Sequence, residues 1–245
     1  MVDDTDDTDE VRQRLALALD VDDLDEARRM AGALAPWIGV AKVGLELYGA
    51  AGPAAVTALR VDGFRVFLDA KLHDIPTTVG RAARVLGRLG IGYLNLHAAG
   101  GHAMLAAGVE GMAVGAAEAG VAGPIPIAVT VLTSDPDTSA FESRLQIAID
   151  AGCRGVVCSA HELARVLLVR KERAAAGFVT IVPGVRLEGT DTDDQARVGT
   201  PARVAAAGAD LLVVGRTVTA AADPEDAARR LHDEVAAALA PRSRV

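Results

Sequence analysis

One repeat unit is visible in the segment Phe64-Arg-Val-Phe-Leu-Asp69-Ala-Lys71-Leu-His-Asp74-Ile-Pro76-Thr-Thr78-Val-Gly-Arg-Ala-Ala-Arg-Val-Leu-Gly-Arg-Leu89. An apolar run over residues 64–68, interrupted at Arg65, predicts a short strand that is buried on both faces, as in a parallel sheet. Charged residues follow this run, and the apolar spacing over residues 78–89 is helical. The segment therefore predicts a strand, a charged connection and a helix.

The same unit recurs along the chain. The apolar runs that predict strands cover residues 15–19, 40–43, 64–68, 93–96, 125–131, 155–158, 178–182 and 211–214. The stretches with helical spacing cover residues 24–34, 54–59, 78–89, 105–119, 143–151, 161–176, 200–207 and 224–239. Asp22 and Asp23 are candidate caps for the first helix. The glycines placed where helices turn into strands are Gly63, Gly90, Gly120, Gly152, Gly177 and Gly208.

Eight such units in about 230 residues predict an α/β protein with a single-domain (β/α)8 TIM barrel. A doubly wound open sheet is the alternative, and it predicts a Gly-x-Gly-x-x-Gly turn after the first strand. The chain instead has Asp20-Val-Asp-Asp-Leu-Asp-Glu26 there, whose carboxylates would repel a pyrophosphate. We expect the barrel to cover residues 13–245 and an acidic, disordered tail to cover residues 1–12.

Composition excludes several classes of function. The formal net charge of the 245-residue chain is −8, which argues against a surface that binds nucleic acid. No apolar stretch approaches the roughly 20 residues of a membrane span, and the N-terminus does not have the pattern of a secretory signal. Cys153 and Cys158 have an odd spacing on a predicted strand, so we expect neither a disulfide nor a metal pair. Unpaired cysteines favour a cytoplasmic location.

Lysine is rare in this sequence. Only three of the 25 basic residues are lysines, namely Lys42, Lys71 and Lys171. Arginine is almost never deprotonated in proteins, whereas a lysine ammonium can release its proton. Two of these lysines lie at predicted strand ends, and Lys71 has carboxylates on both sides. The pattern indicates proton transfer at this position.

The charged residues after the strands predict one site, because function in such barrels collects at the carboxyl ends of the strands. Asp69 and Lys71 are two residues apart on an extended segment, so their side chains should project from the same face. Asp74 follows in a loop that Pro76 stiffens, and Lys42 can extend the array to Lys–Asp–Lys–Asp. The alternative is a purely structural network of ion pairs.

The last two strands predict a phosphate site. Barrels of this class often bind phosphate at the loops after strands 7 and 8 and at a helix N-terminus. Gly215 would permit a close backbone approach, and Arg216 offers a bidentate guanidinium. Arg186 and Gln195 lie in the long segment 184–200, which we interpret as a mobile lid over a bound anion.

Together these residues resemble the orotidine 5′-phosphate decarboxylase family, in the form with His-Asp-Ile-Pro that is common in bacteria. The resemblance covers residues 15–240, nearly the whole chain. The matching blocks are Leu-Ala-Leu-Asp20, Ala-Lys42-Val-Gly, Phe-Leu-Asp69-Ala-Lys71-Leu-His-Asp74-Ile-Pro, Ala-Val-Thr-Val-Leu-Thr133-Ser, Val-Pro-Gly-Val-Arg186 and Val-Val-Gly215-Arg216-Thr-Val-Thr.

The resemblance implies conversion of orotidine 5′-monophosphate to UMP in pyrimidine biosynthesis, with no cofactor and no metal. It implies that Lys71 donates a proton to C6 and that Asp69 lies beside the departing carboxylate. Lys42 and Asp74 would complete a charged tetrad, with Asp74 reaching the partner's site across a homodimer with shared active sites.

The family also implies the residues that bind the nucleotide. Asp20 would bind the ribose hydroxyls, Thr78 would lie beside the sugar from the partner chain, and Thr133 would contact the pyrimidine. The residues implied to hold the phosphate are Arg186, Gln195, Gly215 and Arg216.

Two rival functions remain open from the sequence. One is a Mg²⁺-dependent aldolase or decarboxylase acting on sugar phosphates, because those barrels share the Asp-x-Lys-x-x-Asp pattern. The other is a catalytically silent barrel that binds nucleotide phosphates. A requirement for Mg²⁺ would distinguish the sugar-phosphate enzyme from the decarboxylase. Absence of turnover would distinguish the silent barrel.

Overall fold

The computed structural model describes residues 9–132, 134–172, 177–186 and 199–240. Eight parallel strands pair in sequence order, and the last strand pairs with the first to close a barrel. The strands are β1 (Leu15–Leu19), β2 (Val40–Val43), β3 (Arg65–Leu72), β4 (Tyr93–His97), β5 (Ile125–Val129), β6 (Gly155–Val157), β7 (Val179–Pro183) and β8 (Leu211–Val214). The predicted TIM barrel is confirmed.

Helices alternate with these strands around the outside of the barrel. Their bounds are α1 (Leu24–Leu34), α2 (Leu45–Ala51), α3 (Pro53–Val61), α4 (Pro76–Gly87), α5 (Gly101–Ala119), α6 (Phe141–Asp150), α7 (Leu163–Glu172), α8 (Pro201–Ala206), α9 (Arg216–Thr219) and α10 (Pro224–Leu239). A single 3₁₀ turn, Ala98–Gly100, lies between β4 and α5. Within the described part of the chain, no helix is both long enough and apolar enough to cross a membrane.

The turn chemistry follows the sequence expectations. Asp23 caps α1, where its side chain accepts a hydrogen bond from the Glu26 N–H at 2.7 Å. The six glycines expected between helices and strands all have positive φ, from 64° at Gly90 to 99° at Gly208. Cys153 and Cys158 are buried free thiols, as expected from their spacing.

Three features differ from the sequence expectations. Helix α2 was not predicted, because Gly49 within it and the flanking Gly44 and Gly52 weaken the helical signal. Strand β3 extends four residues beyond the predicted run and includes Asp69 and Lys71. The expected tail lies mostly outside the described residues, but residues 9–12 form a helical turn in which Val11 is buried.

Successive side chains of each strand point to opposite faces, so the barrel has two apolar cores. Residues facing the helices form the large outer core. The inner core fills the barrel and contains Ala16, Ala18, Val40, Phe67, Tyr93, Ile127, Ile181, Leu211 and Val213. These side chains fill the lower part of the barrel, so the space inside the barrel that a ligand can enter lies above them, at the carboxyl ends of the strands.

Candidate active site

The strand period also explains which polar residues enter the barrel. Lys42, Asp69 and Asn95 each lie two residues after an inner-core residue on neighbouring strands, namely Val40, Phe67 and Tyr93. Residues two apart on a strand share a face, so the three polar side chains form the layer directly above the inner core. Buried polar groups need hydrogen-bond or ion-pair partners, and in this layer Lys42 and Asn95 both contact Asp69.

An alternating array of charges crosses this layer. The Lys71 Nζ lies 2.7 Å from Asp69 Oδ1, and the Lys42 Nζ lies 3.0 Å from Asp69 Oδ2. Lys42 also lies 3.7 Å from Asp20 Oδ1, so the order is Asp20–Lys42–Asp69–Lys71. The exposed fraction of the side chain rises from 9% for Asp69 to 36% for Lys71, which leaves the Lys71 ammonium accessible to a ligand.

The Asp69 carboxylate is held ionised by its neighbours. Burial alone would raise its pKa, but the charges of Lys42 and Lys71 and the hydrogen bonds from Lys71 and Asn95 outweigh burial and lower it. An anion that enters the cavity therefore meets the negative charge of Asp69.

The lowered pKa of Asp69 predicts a stability effect in acid. Ionised Asp69 stabilises the fold above its unfolded pKa of about 3.9, and this contribution is lost as the pH falls through the lower folded pKa. We expect the difference in unfolding free energy between wild type and Asp69→Asn to be constant above about pH 5 and to change below about pH 4. Urea unfolding followed by Trp37 fluorescence measures it. A constant difference down to about pH 3 would contradict the lowered pKa.

Lys71 has an unusual backbone. Its φ is +47°, and among the described residues it is the sole non-glycine with positive φ. Such a conformation costs about 1–3 kcal/mol and persists where surrounding contacts enforce it. The register between β3 and β4 shifts here, because Leu68 pairs with Leu94 whereas Leu72 pairs with Leu96. Asp69 and Lys71 do lie on one strand, as predicted, but that strand is irregular at Lys71, whose ammonium nevertheless reaches Asp69.

A cavity of about 200 Å³ opens above the inner core. The charged and polar side chains of the array line one side, and apolar side chains line the other. The lining residues are Lys42, Phe67, Asp69, Lys71, Asn95, Val129, Val131, Leu132, Val157, Ile181, Pro183 and Val213. Such a cavity suits a flat ligand with one polar edge.

Two further residues that the sequence predicted for the site, Asp74 and Thr78, lie outside the array. Asp74 is exposed, and its Oδ1 accepts a hydrogen bond from the Ile75 N–H at 2.6 Å. Within the described part of this single chain, Asp74 forms no ion pair with a lysine, and Asp20 is the second carboxylate of the array. Thr78 is exposed in the first turn of α4.

The predicted phosphate residues follow two adjacent strands. Arg186 comes three residues after β7, and Gly215 and Arg216 directly follow β8, whose Val213 pairs with Pro183 of β7. The Thr217 hydroxyl donates to the Val185 carbonyl at 3.4 Å, which links the two loops. Thr133 and Gln195 lie outside the described residues, as does most of the predicted lid.

Two residues near the array were missed by the sequence reasoning. Asn95 was included in an apolar strand, although a single amide inside such a run itself indicates a buried polar contact. Gly44 follows β2, and a Cβ there would lie 3.1 Å from Asp20 Oδ1 and 3.5 Å from Lys42 Nζ. A side chain at position 44 would therefore crowd the start of the array.

His97 has mainly structural contacts. Its Nδ1 accepts a hydrogen bond from the Ala99 N–H at 3.2 Å, and its ring stacks on His73 at 5.3 Å. Burial, followed by the nearby His73, Arg144 and Lys71, lowers the pKa of His97 and favours its neutral form.

A closed parallel barrel with a charged cavity at the carboxyl ends of its strands defines a (β/α)8-barrel enzyme. Residues 13–231 match the model of the orotidine 5′-phosphate decarboxylase / HUMPS family. The chain therefore belongs to this family.

Named relatives agree with the family match. The chain is 44% identical to orotidine 5′-phosphate decarboxylase of Moorella thermoacetica, over 91% of this chain and 92% of the relative. It is 46% identical to the protein of that name from Nitratidesulfovibrio vulgaris, over 91% and 97% of the two chains. The crystal structure of orotidine 5′-phosphate decarboxylase from Lactobacillus acidophilus superposes with a TM-score of 0.74 at 30% identity, and the match covers 91% of this chain and 99% of that one.

Proposed function

We propose that this protein decarboxylates orotidine 5′-monophosphate to UMP, with Lys71 as the proton donor. The observation that carries the proposal is the Lys71 ammonium, which is held 2.7 Å from Asp69 at the wall of a cavity of about 200 Å³. The full-length similarity to enzymes named for this reaction supports the same substrate.

The chemistry needs a fixed cation beside the reacting carbon. The bond between C6 and the carboxyl carbon breaks, CO₂ leaves, and the electron pair stays on C6 in an orbital that cannot spread into the ring. The Lys71 ammonium stabilises this carbanion and then transfers a proton to C6. Lysine ends the step neutral and regains its proton from solvent.

Asp69 and Lys42 have supporting roles in this proposal. Asp69 lies where the substrate carboxylate would enter, so the two negative groups repel in the bound substrate and separate as CO₂ leaves. Lys42 balances the charge of Asp69 on its other side at 3.0 Å and keeps the carboxylate in place. Asp20, next to Lys42, is 61% exposed and is available to accept hydrogen bonds from ribose hydroxyls.

The remaining nucleotide contacts are those that the resemblance to the family implies. Arg186, Gly215 and Arg216 would bind the phosphate, together with Gln195, and Thr133 would contact the pyrimidine. The phosphate of the substrate is far from C6, yet the free energy of phosphate binding can be used to assemble the charged site and so raise the rate of decarboxylation.

We further propose a homodimer in which Asp74 and Thr78 serve the partner's site. Both residues are exposed in this chain, and Asp74 lies outside the in-chain array. A cytoplasmic location agrees with two buried free thiols, whose pKa values burial raises, to about 12 for Cys153.

The function is tested by the absorbance change of orotidine 5′-monophosphate with purified protein in EDTA. Conversion to UMP would establish the substrate and the independence from metal. Absence of conversion with tight UMP binding would favour the silent barrel. Absence of both would favour a sugar-phosphate substrate, which is then assayed with Mg²⁺.

Arg216→Ala is expected to weaken substrate binding through loss of a charge-assisted contact with the phosphate. The expected cost is about 2–4 kcal/mol, or roughly 30- to 700-fold in KM. Arg29→Ala, which removes an exposed arginine from α1 on the outside of the barrel, is the control and should leave KM unchanged. The assignment is wrong if orotidine, which lacks the phosphate, is affected as strongly.

A further inference from the structure

The strand irregularity at Lys71 faces a buried amide. Three residues of β3 lie between Leu68 and Leu72, whereas one residue of β4 lies between their partners Leu94 and Leu96. The two extra residues leave β3 bulged at Asp69, Ala70 and Lys71, so the regular ladder of backbone hydrogen bonds is interrupted. Asn95 lies between Leu94 and Leu96, directly opposite the bulge, and is fully buried.

Both ends of the Asn95 amide are bonded to this bulge. Asn95 Oδ1 accepts a hydrogen bond from the Lys71 backbone N–H at 2.7 Å, in place of a β4 carbonyl. Asn95 Nδ2 donates to Asp69 Oδ1 at 2.6 Å. The opposite amide orientation would bring donor to donor and oxygen to carboxylate, so a single orientation satisfies both partners.

The bulge in turn places the proposed proton donor. Lys71 has a φ of +47°, which a non-glycine residue adopts when its surroundings enforce it. The same Asp69 oxygen that receives the Asn95 amide also lies 2.7 Å from the Lys71 Nζ. Asn95 therefore contacts the backbone of the donor and the carboxylate that orients its ammonium.

We infer that Asn95 is a positioning residue of the decarboxylation site, whose side-chain amide holds the β3 bulge and so fixes Asp69 and the Lys71 ammonium in the cavity; the inference rests on the function proposed above. Asn95 acts through Asp69 and Lys71, and no proton passes through the amide. Its loss should affect the chemical step more than the binding of the phosphate at the distant end of the site.

The test replaces the amide by an apolar side chain of similar size, Asn95→Leu. We expect kcat per UMP-binding site to fall about 100-fold, because a displacement of about 1 Å in a reacting group can cost that much. The Kd for UMP should change by less than about threefold, since a buried polar group is lost without loss of a phosphate contact. Asn95→Asp is the second variant: it keeps an acceptor for the Lys71 N–H but places a carboxylate against Asp69, and the same loss of kcat is expected.

Thr180→Val is the matched control for loss of a buried polar group. Thr180 is fully buried near the amino end of β7, where its N–H and hydroxyl each donate to Asp210 Oδ2 at 2.8 Å. This variant should lower the thermal midpoint as Asn95→Leu does, yet retain the wild-type kcat per UMP-binding site. A purely structural role of Asn95 predicts the same behaviour for both variants.

Two results would overturn the inference. One is retention by Asn95→Leu of more than about half of the wild-type kcat, and the other is an equal loss in Thr180→Val. If the wild type does not decarboxylate the substrate, the proposed function fails instead. In that case, crystal structures of wild type and Asn95→Leu test whether Asn95 positions Lys71. The inference holds if the Lys71 φ or the distance from Lys71 Nζ to Asp69 changes in the variant. It fails if both are preserved.

Discussion

Lys71→Ala is expected to lower kcat for decarboxylation of orotidine 5′-monophosphate by at least about 10⁴-fold. Proton transfer by a positioned group contributes typically 10²–10⁴-fold, and a preorganised charge beside a developing anion contributes about as much again. Alanine removes both contributions, because in the proposed mechanism the same ammonium stabilises the carbanion and delivers the proton. Steady-state kinetics with high enzyme concentrations measures the residual rate.

The controls for Lys71→Ala separate chemistry from folding. The variant should remain folded and should still bind UMP, since the residues proposed to hold the phosphate lie elsewhere. Lys171→Ala removes the exposed lysine at the end of α7 and should leave kcat unchanged. If Lys71→Ala keeps more than a small fraction of the wild-type kcat, Lys71 is not the proton donor.

Mixing two inactive variants is expected to restore activity. Asp74→Ala and Lys71→Ala should each be nearly inactive alone, because in the proposed homodimer each variant lacks one essential group at both sites. If Asp74 acts in the partner's site, a mixed dimer has one intact site and one site that lacks both groups. Random exchange of subunits makes half of the dimers mixed, so the mixture should regain roughly one quarter of the wild-type activity.

The outcome of mixing depends on which chain Asp74 serves. If Asp74 acted within its own chain, neither site of a mixed dimer would be intact, and no activity would return. Mixing Lys71→Ala with Lys42→Ala is the control. Both lysines belong to the same in-chain array, so complementation is not expected there. Activity is measured against the time of subunit exchange.

The overall fold could be predicted well from the sequence because its signals are local. Each strand is a short apolar run, and each following helix has its own spacing, so eight repeats are visible without knowledge of any contact. The strands over residues 15–19, 40–43 and 211–214 have the predicted bounds. Helix α2 was missed because its glycines lower the local helical propensity, while packing of the buried Leu47 stabilises the helix.

The candidate site could be predicted in part. Lys42 and Asp69 fall at strand ends, where the barrel topology brings them together, and their contact with Lys71 is present. The hydrogen bond between Asn95 and the Lys71 N–H could not be predicted from sequence spacing. It depends on the two extra residues that bulge from β3 opposite β4. The in-chain neighbour of Lys42 is Asp20, which follows a different strand, and its 3.7 Å separation depends on the pairing of β1 with β2.

By itself the sequence determined that this chain forms a barrel of eight parallel strands and that Lys42, Asp69 and Lys71 come together at one rim. Those features follow from the periods of two and 3.6 residues and from the residue types after each strand. The tertiary structure alone decided that Asp20 is the second carboxylate beside Lys42 and that the backbone at Lys71 is left-handed. Both depend on the register between strands that are distant in sequence, and no local propensity determines such a register.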